Sequence, residues 1–292
     1  MGVIVRIHAG LGNQLFQYAM GRSLSLHKRT ELFLDAWGYE TDTFRKYELG
    51  KFNISAQLLS KDQSNWGMQI RRRRYTPLRL LLQAIHSPLA PKGIVDKERG
   101  FVEGLAKIKG SIYLDGFWQS ELYFSRIREL LLKEFSFKDP PNLENAKCLS
   151  NIASQNAVCL HIRRGDYVTT PHGQTKLGFC GLDYYQKAIA YIQDRVFNPA
   201  FFIFSDDPTW VSSNFPRLDP MTIVSHNVGQ NDSEDLRLMM NCKHFITANS
   251  TFSWWAAWLG QFSNKTIIAP KRWYASPKLT DKDLVPEVWI RI

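Results

Sequence analysis

What the chain lacks narrows it first. No segment approaches the roughly 18 uninterrupted apolar residues of a membrane span. Cysteine is scarce: the four present, Cys148, Cys159, Cys180 and Cys242, are widely and irregularly spaced with no C-x-x-C, which suggests neither a zinc site nor a disulfide framework. A reducing cytoplasm is the simplest compartment for such a chain. The start, Met1-Gly2-Val3-Ile4-Val5-Arg6, enters a strand-like run without a charged n-region or an apolar h-region, so no secretory signal is expected. There is no Walker loop, no H-E-x-x-H and no G-x-S-x-G. Internal repeats and low-complexity tracts are also missing.

Acidic residues are in short supply, 27 against 37 basic, and the net charge of +10 favours an anionic partner: nucleic acid, a phosphorylated substrate or acidic lipid. Charge alone does not choose among them. Its most local expression is Arg71-Arg72-Arg73-Arg74 ahead of Leu78-Arg79-Leu80-Leu81-Leu82. That segment reads either as a basic amphipathic helix on a membrane surface or as a solvated helix face beside a buried stripe.

Apolar residues at 44% and charged residues at 22% are ordinary for a soluble, folded protein. At 292 residues the chain exceeds the usual single domain, so two domains of about 130–150 residues are expected, with one large domain as the alternative. The first half opens with an apolar run at 3–7, a glycine turn at 10–12, a helix to about Lys28 and a second run at Glu31-Leu32-Phe33-Leu34. A helix near 68–85, a strand at Ser111-Ile112-Tyr113-Leu114 and a helix from Ser120 to Phe135 follow, with Pro88 and Pro91 breaking the chain between. Paired prolines in Lys138-Asp139-Pro140-Pro141-Asn142 make the best linker, giving domains 1–140 and 141–292.

Beyond the linker, strands at 157–162, 201–204, 221–224, 244–247 and 265–268 alternate with helices at 183–195, 208–214, 233–241 and 251–262. That rhythm argues for an α/β fold with a parallel sheet and helices on both faces. Ligands bind such sheets outside the carboxyl ends of the strands, so the loops after 162, 204, 224 and 248 should gather on one edge.

The first of these loops carries His161-Ile162-Arg163-Arg164-Gly165-Asp166. Alternation sends His161 and Arg163 to one side and Arg164 to the other. A guanidinium offers a planar fork that matches phosphate oxygens two at a time, so Arg163 suits the charge developing on a diphosphate leaving group. Arg164, facing away, fixes the loop through Asp166 or another carboxylate; the alternative is that both arginines are surface ion pairs. The second loop, Ser205-Asp206-Asp207-Pro208, offers two carboxylates that can bind metal, hydrogen-bond a ribose or, for Asp207, cap the next helix. The third, Asn231-Asp232-Ser233-Glu234-Asp235, puts acids at a helix start, where they either accept the paired donors on the edge of guanine or balance the helix dipole. The fourth runs Thr247-Ala248-Asn249-Ser250-Thr251-Phe252-Ser253-Trp254-Trp255-Ala256-Ala257-Trp258 into a helix start that reads either as an anion site of free N–H groups or as a plain N-cap; its tryptophans read as helix-face packing or sugar stacking.

Two further motifs supply rivals. Gly10-Leu11-Gly12-Asn13-Gln14-Leu15 follows a strand and opens a helix, with Asp35 about 20 residues on, which points to an NAD-dependent oxidoreductase. Its third glycine, however, is Leu15, and Asn13-Gln14 sits where close helix packing is expected. The D-x-D of Asp281-Lys282-Asp283 lies in a polar stretch that reads as a solvated helix start. A basic module binding anionic polymers is the remaining alternative, resting on charge alone.

Taken together, Gly10-Leu11-Gly12-Asn13-Gln14-Leu15-Phe16-Gln17, His161-Ile162-Arg163-Arg164-Gly165-Asp166 and Ser250-Thr251-Phe252-Ser253-Trp254-Trp255 resemble the bacterial α-1,2-fucosyltransferases, in the family's order and over nearly the whole chain. The resemblance implies a GT-B-like arrangement of two Rossmann-like domains facing across a cleft, 1–140 on the acceptor side and 141–292 binding GDP-fucose, with no metal and no cofactor. It makes Arg163 the main β-phosphate ligand, His161 a neighbour of the donor and Asn13 a residue of the opposite domain, the three forming the catalytic set. Asp235 falls where related enzymes place a guanine-binding acid, Ser250 and Thr251 where they contact the diphosphate, and Asp206 at a strand end where a similar pair is found. The implied reaction is inverting: fucose leaves GDP and joins the 2-hydroxyl of a galactose through an oxocarbenium-like transition state. Asp166 invites the role of general base by location, as does the leaving phosphate, and neither is assigned it. The implied partners are GDP-fucose and a galactose-terminated glycan, without nucleic acid; cysteine usage points to the cytoplasm, and the Arg71–Arg74 run leaves peripheral contact with the inner face of a membrane open.

Overall fold

The structure, a computed structural model, describes residues 2–60, 92–96, 100–227 and 232–292. The Arg71–Arg74 run, the expected helix at 68–85 and Asn231 lie outside the described residues. The chain forms two compact units, Met1–Ser136 and Phe137–Ile292.

In the first unit β1 (Gly2–Arg6), α1 (Leu11–Lys28) and β2 (Glu31–Asp35) form the expected strand-helix-strand. β3 (Gln57–Leu58), β4 (Lys92–Val95), β5 (Ile112–Asp115) and a short α2 (Arg128–Glu134) complete it. The sheet is parallel throughout, in the order β3-β2-β1-β5-β4. The close approach of α1 to this sheet is made at Gly21, where a Cβ would lie 2.3 Å from Val5 Cγ2. Leu15, in the third-glycine place of the dinucleotide pattern, is simply core.

The helix expected over 120–135 is broken. Ser120 accepts from Leu122 N and starts a 3₁₀ turn, and Phe124, fully buried 5.9 Å from Phe16, takes φ −139°, which no α-helix accommodates. Regular helix resumes at Arg128.

The second unit runs α3 (Leu143–Ala153), β6 (Asn156–Ile162), α4 (Gly165–Thr169), α5 (Leu182–Arg195), β7 (Pro199–Ser205), α6 (Pro208–Asn214), β8 (Met221–Val224), α7 (Asp232–Met240), β9 (His244–Ile246), α8 (Thr251–Leu259), β10 (Ile267–Ala269) and β11 (Ile290–Arg291). Its six strands are parallel, in the order β11-β10-β9-β6-β7-β8. Alternation along β6 packs Val158, Leu160 and Ile162 with α5 and α6, while His161 turns to the opposite face, 5.9 Å from the Phe252 ring of α8. Helices therefore cover both faces, as a parallel sheet requires.

α8 ends at Leu259, earlier than its apolar pattern suggests, because Gly260 packs against β9, where a Cβ would stand 2.5 Å from the Phe245 ring. From Ser253 to Leu259 every residue is buried, and Trp254, Trp255, Trp258 and Trp289 pack against one another. The tryptophans are packing residues. Asp281 forms no helix start: it pairs with Arg291 at 2.6 Å. Among the described residues no helix is long and apolar enough to cross a membrane, and no group of three or more His, Cys, Asp or Glu side chains is arranged to hold a metal ion.

Candidate functional site

Because β6 lies between β9 and β7, the loops that follow these three strands are neighbours on the carboxyl edge of the second sheet. Arg163 Nη1 meets Asp206 Oδ2 at 2.9 Å, and Nη2 pairs with Asp166. Arg164 turns away: its Nε reaches Asp207 Oδ2 at 3.3 Å and its guanidinium lies 3.7 Å above the Trp210 ring. The opposite facing of the two arginines is thus present, with Asp166 on Arg163 and Asp207 as the carboxylate that fixes Arg164. Asp207 also caps α6, accepting from Trp210 N at 3.0 Å. Asp206 braces the loop from a second direction, accepting from Arg164 N at 2.8 Å, so its carboxylate is engaged by protein donors.

Burial works against the charge on Arg163, but Asp206 and Asp166 outweigh it and hold the guanidinium protonated. His161 is 5% exposed. Burial, aided by the charge of Arg163, pushes its pKa down to about 3, so the imidazole is neutral at any working pH. Its Nδ1 has no hydrogen-bond partner.

Tyr167, to which sequence reasoning gave no role, joins this cluster to α8. Its ring lies 5.2 Å beneath Arg163, and its hydroxyl donates to Asn249 O at 3.3 Å. Asn249 in turn spends its Nδ2 on the carbonyls of Leu177, Gly178 and Trp273, which pins the entry to α8. Ser250 Oγ caps the helix by accepting from Phe252 N at 3.3 Å. Arg163, His161, Ser250 and Thr251 are therefore assembled at one place; Asp206 and Asp166 occupy one side of each Nη of Arg163, and its remaining protons, with the helix N-terminus, are the donors left for an anion.

Asp235 belongs to a second cluster at the start of α7. Its Oδ1 accepts from Asn227 Nδ2 at 2.9 Å. Burial, with Asp232 and Glu234 nearby, raises its pKa to about 7 despite that bond and despite the helix N-terminus, which favours the ionised form. Asn145, Asn227 and His226 complete the cluster; their polar contacts cross 80 or so residues of chain and leave no local pattern to find.

In the first unit, Asn13 stands half-buried in the first turn of α1, where its Oδ1 accepts from Gln119 Nε2 at 2.7 Å. Gln14 and Gln17 are fully buried clamps. Gln14 holds Ala9 O, Lys46 O and Glu48 N, and Gln17 holds His8 N and Gly116 O. Gln14, which looked misplaced for a dinucleotide turn, thus joins Gln17 in tying three loops to one helix. Asp35 is 1% exposed, and its Oδ2 accepts from Tyr113 at 2.6 Å. A carboxylate so enclosed cannot take a ribose hydroxyl, and the oxidoreductase reading fails on it.

Residues 103–292 match the model of Glycosyl transferase family 11. The chain belongs to that family. It is 35% identical over 302 residues to the alpha-1,2-colitosyltransferase of Escherichia coli, covering 99% of this chain and 98% of that one. It is 29% identical over 155 residues to galactoside alpha-(1,2)-fucosyltransferase 1 of Rattus norvegicus, covering 50% of this chain and 41% of the rat protein. Its fold is similar to that of Arabidopsis thaliana FUT1, solved as a point mutant in complex with GDP, with a TM-score of 0.56 at 12% identity, covering 91% of this chain and 69% of that one. The family 11 chain is thus a glycosyltransferase of the fucosyltransferase type, and its two Rossmann-like units are the α/β, GT-B-like fold that the resemblance implied.

Proposed function

We propose that the family 11 protein transfers L-fucose from GDP-β-L-fucose to the 2-hydroxyl of a terminal galactose, with inversion, in the cytoplasm at the inner face of a membrane. The observation that carries this reading is Arg163, held by Asp206 at the end of β6 and linked through Tyr167 to the N-terminus of α8. As the glycosidic bond to the donor breaks, negative charge gathers on the departing GDP. Donors already fixed in place offset that charge without reorganising, and Arg163 with the first N–H groups of α8 provides them. His161, neutral beside them, contributes a hydrogen-bonding imidazole rather than a charge. Asp235 accepts the two donors on the guanine edge. Since a protein cation and a helix end meet the phosphates in this reading, no metal and no cofactor are required.

Turnover of GDP-fucose against a panel of β-galactosides, with the linkage of the product determined, tests the reading. Arg163→Ala should lower kcat about 100- to 1,000-fold, the cost of losing one such donor, while circular dichroism stays unchanged. EDTA should leave the rate as it is. Full activity in the arginine variant would end the phosphate assignment, and activity that returns only with added divalent metal would end the metal-free one.

The E. coli relative supports a second reading, colitosyl transfer. Colitose is fucose without its 3-hydroxyl, so the two GDP-sugars compared in the same assay separate the readings.

A further inference from the structure

We propose that Asn227 and Asn145 are positioning residues that fix the plane of the Asp235 carboxylate and thereby set the preference for a guanine over an adenine nucleotide. The inference rests on the reading of Asp235 as the acceptor for the donor's base. Asn145, on α3, is fully buried, which is costly for an amide unless its polar atoms are engaged. They are: Asn145 Nδ2 donates to Asn227 Oδ1 at 2.9 Å, Asn227 Nδ2 donates back to Asn145 Oδ1 at 2.9 Å, and His226 Nε2 lies 2.8 Å from the same Oδ1. The backbone N–H of Asn145 is held as well, by the capping Asn142 at 2.8 Å.

This reciprocal pair leaves Asn227 one proton, and that proton goes to Asp235 Oδ1 at 2.9 Å. Turning the Asn227 amide over would break both bonds of the pair and set its carbonyl oxygen against a carboxylate. One oxygen of Asp235 is therefore held from a fixed direction, and the carboxylate cannot rotate freely about its own axis. Guanine presents two neighbouring donors in the plane of the base, so a carboxylate of fixed plane accepts both. Adenine presents an acceptor in place of one of them, and a fixed carboxylate repels it where a rotating one would turn aside. Asn227 and Asn145 touch no part of the nucleotide in this scheme; they act through Asp235.

The test is a double-mutant cycle read by calorimetric binding of GDP and of ADP to the full-length chain. Asn227→Ala should weaken GDP about tenfold, the effect of losing a hydrogen bond to a charged group, leave ADP unweakened, and have no further effect in an Asp235→Ala background. In turnover it should raise KM for the GDP-sugar and leave kcat alone. Equal weakening in both backgrounds, or none in either, overturns the positioning role while leaving Asp235 as base reader intact. If Asp235→Ala itself leaves the GDP-to-ADP ratio unchanged, the base reading fails, and this inference with it. Should Asn227→Ala not fold, Asn145→Ser, which removes the amide partner but keeps the bond between Asn227 and Asp235, is read in the same cycle; a GDP-to-ADP ratio unchanged in that variant overturns the proposal.

Discussion

A methyl group at Gly165 would lie 2.3 Å from Asp206 Oδ2, inside any permitted contact. The glycine between the arginines and Asp166 is thus there for the carboxylate that braces Arg163, not for an unusual backbone. Gly165→Ala should push Asp206 away and loosen both Arg163 and Arg164. We expect kcat/KM to fall at least about tenfold for a stability cost of about 1–3 kcal/mol, the usual range for overpacking; parallel kinetics and thermal melts check it. Asp235 gives a prediction in pH. Its pKa is about 7 in the folded protein against an ordinary 3.8, so the fold holds a proton there that the unfolded chain has lost, and stability falls as pH rises between those values. Guanine's donors favour the ionised form. GDP should therefore bind more tightly as pH rises through about 7, releasing a proton, and the dependence should vanish in Asp235→Asn. Affinity that stays flat between about pH 6 and about pH 8 in the unaltered protein would contradict it.

At the scale of elements, legibility followed locality. β6 and its polar exit were readable because an apolar strand and the residues at its end are contiguous in sequence, and the same holds for the Asp207 cap and the α8 entry. The helix over 120–135 was not, because Phe124 leaves helical geometry to reach a core partner more than 100 residues away. β3 and β4 escaped as well. Gln57–Leu58 is exposed and Lys92–Val95 only partly covered, so neither edge strand carries the alternation that reveals a strand with one buried face. Around the candidate site, the contacts of Tyr167, Asn227 and Asn145 depend on partners brought close by the fold. A sequence names those residue types without saying whom they face.

Over the whole molecule, both sheets are parallel, and a parallel sheet is polar: its loops divide into an amino-end set and a carboxyl-end set. If the second sheet obeys that polarity in function, GDP alone should slow amide exchange in the loops around 163–167, 205–207 and 247–252, and leave Asn156, Ala200 and Lys243, at the opposite ends of the strands, unaffected. Protection concentrated at the amino ends would refute the site. Mass spectrometry of deuterium uptake resolves the two sets.

The seating of α8 has a consequence for how such a protein can diversify. From Ser253 to Leu259 the helix has no solvent face, so nearly every substitution on it is judged by the core before any ligand is encountered. The body of the helix behind the proposed phosphate anchor is thereby shielded from drift. Novelty in the transferred sugar or its recipient has more room in the exposed parts of the loops around it, where fewer side chains are locked into the core.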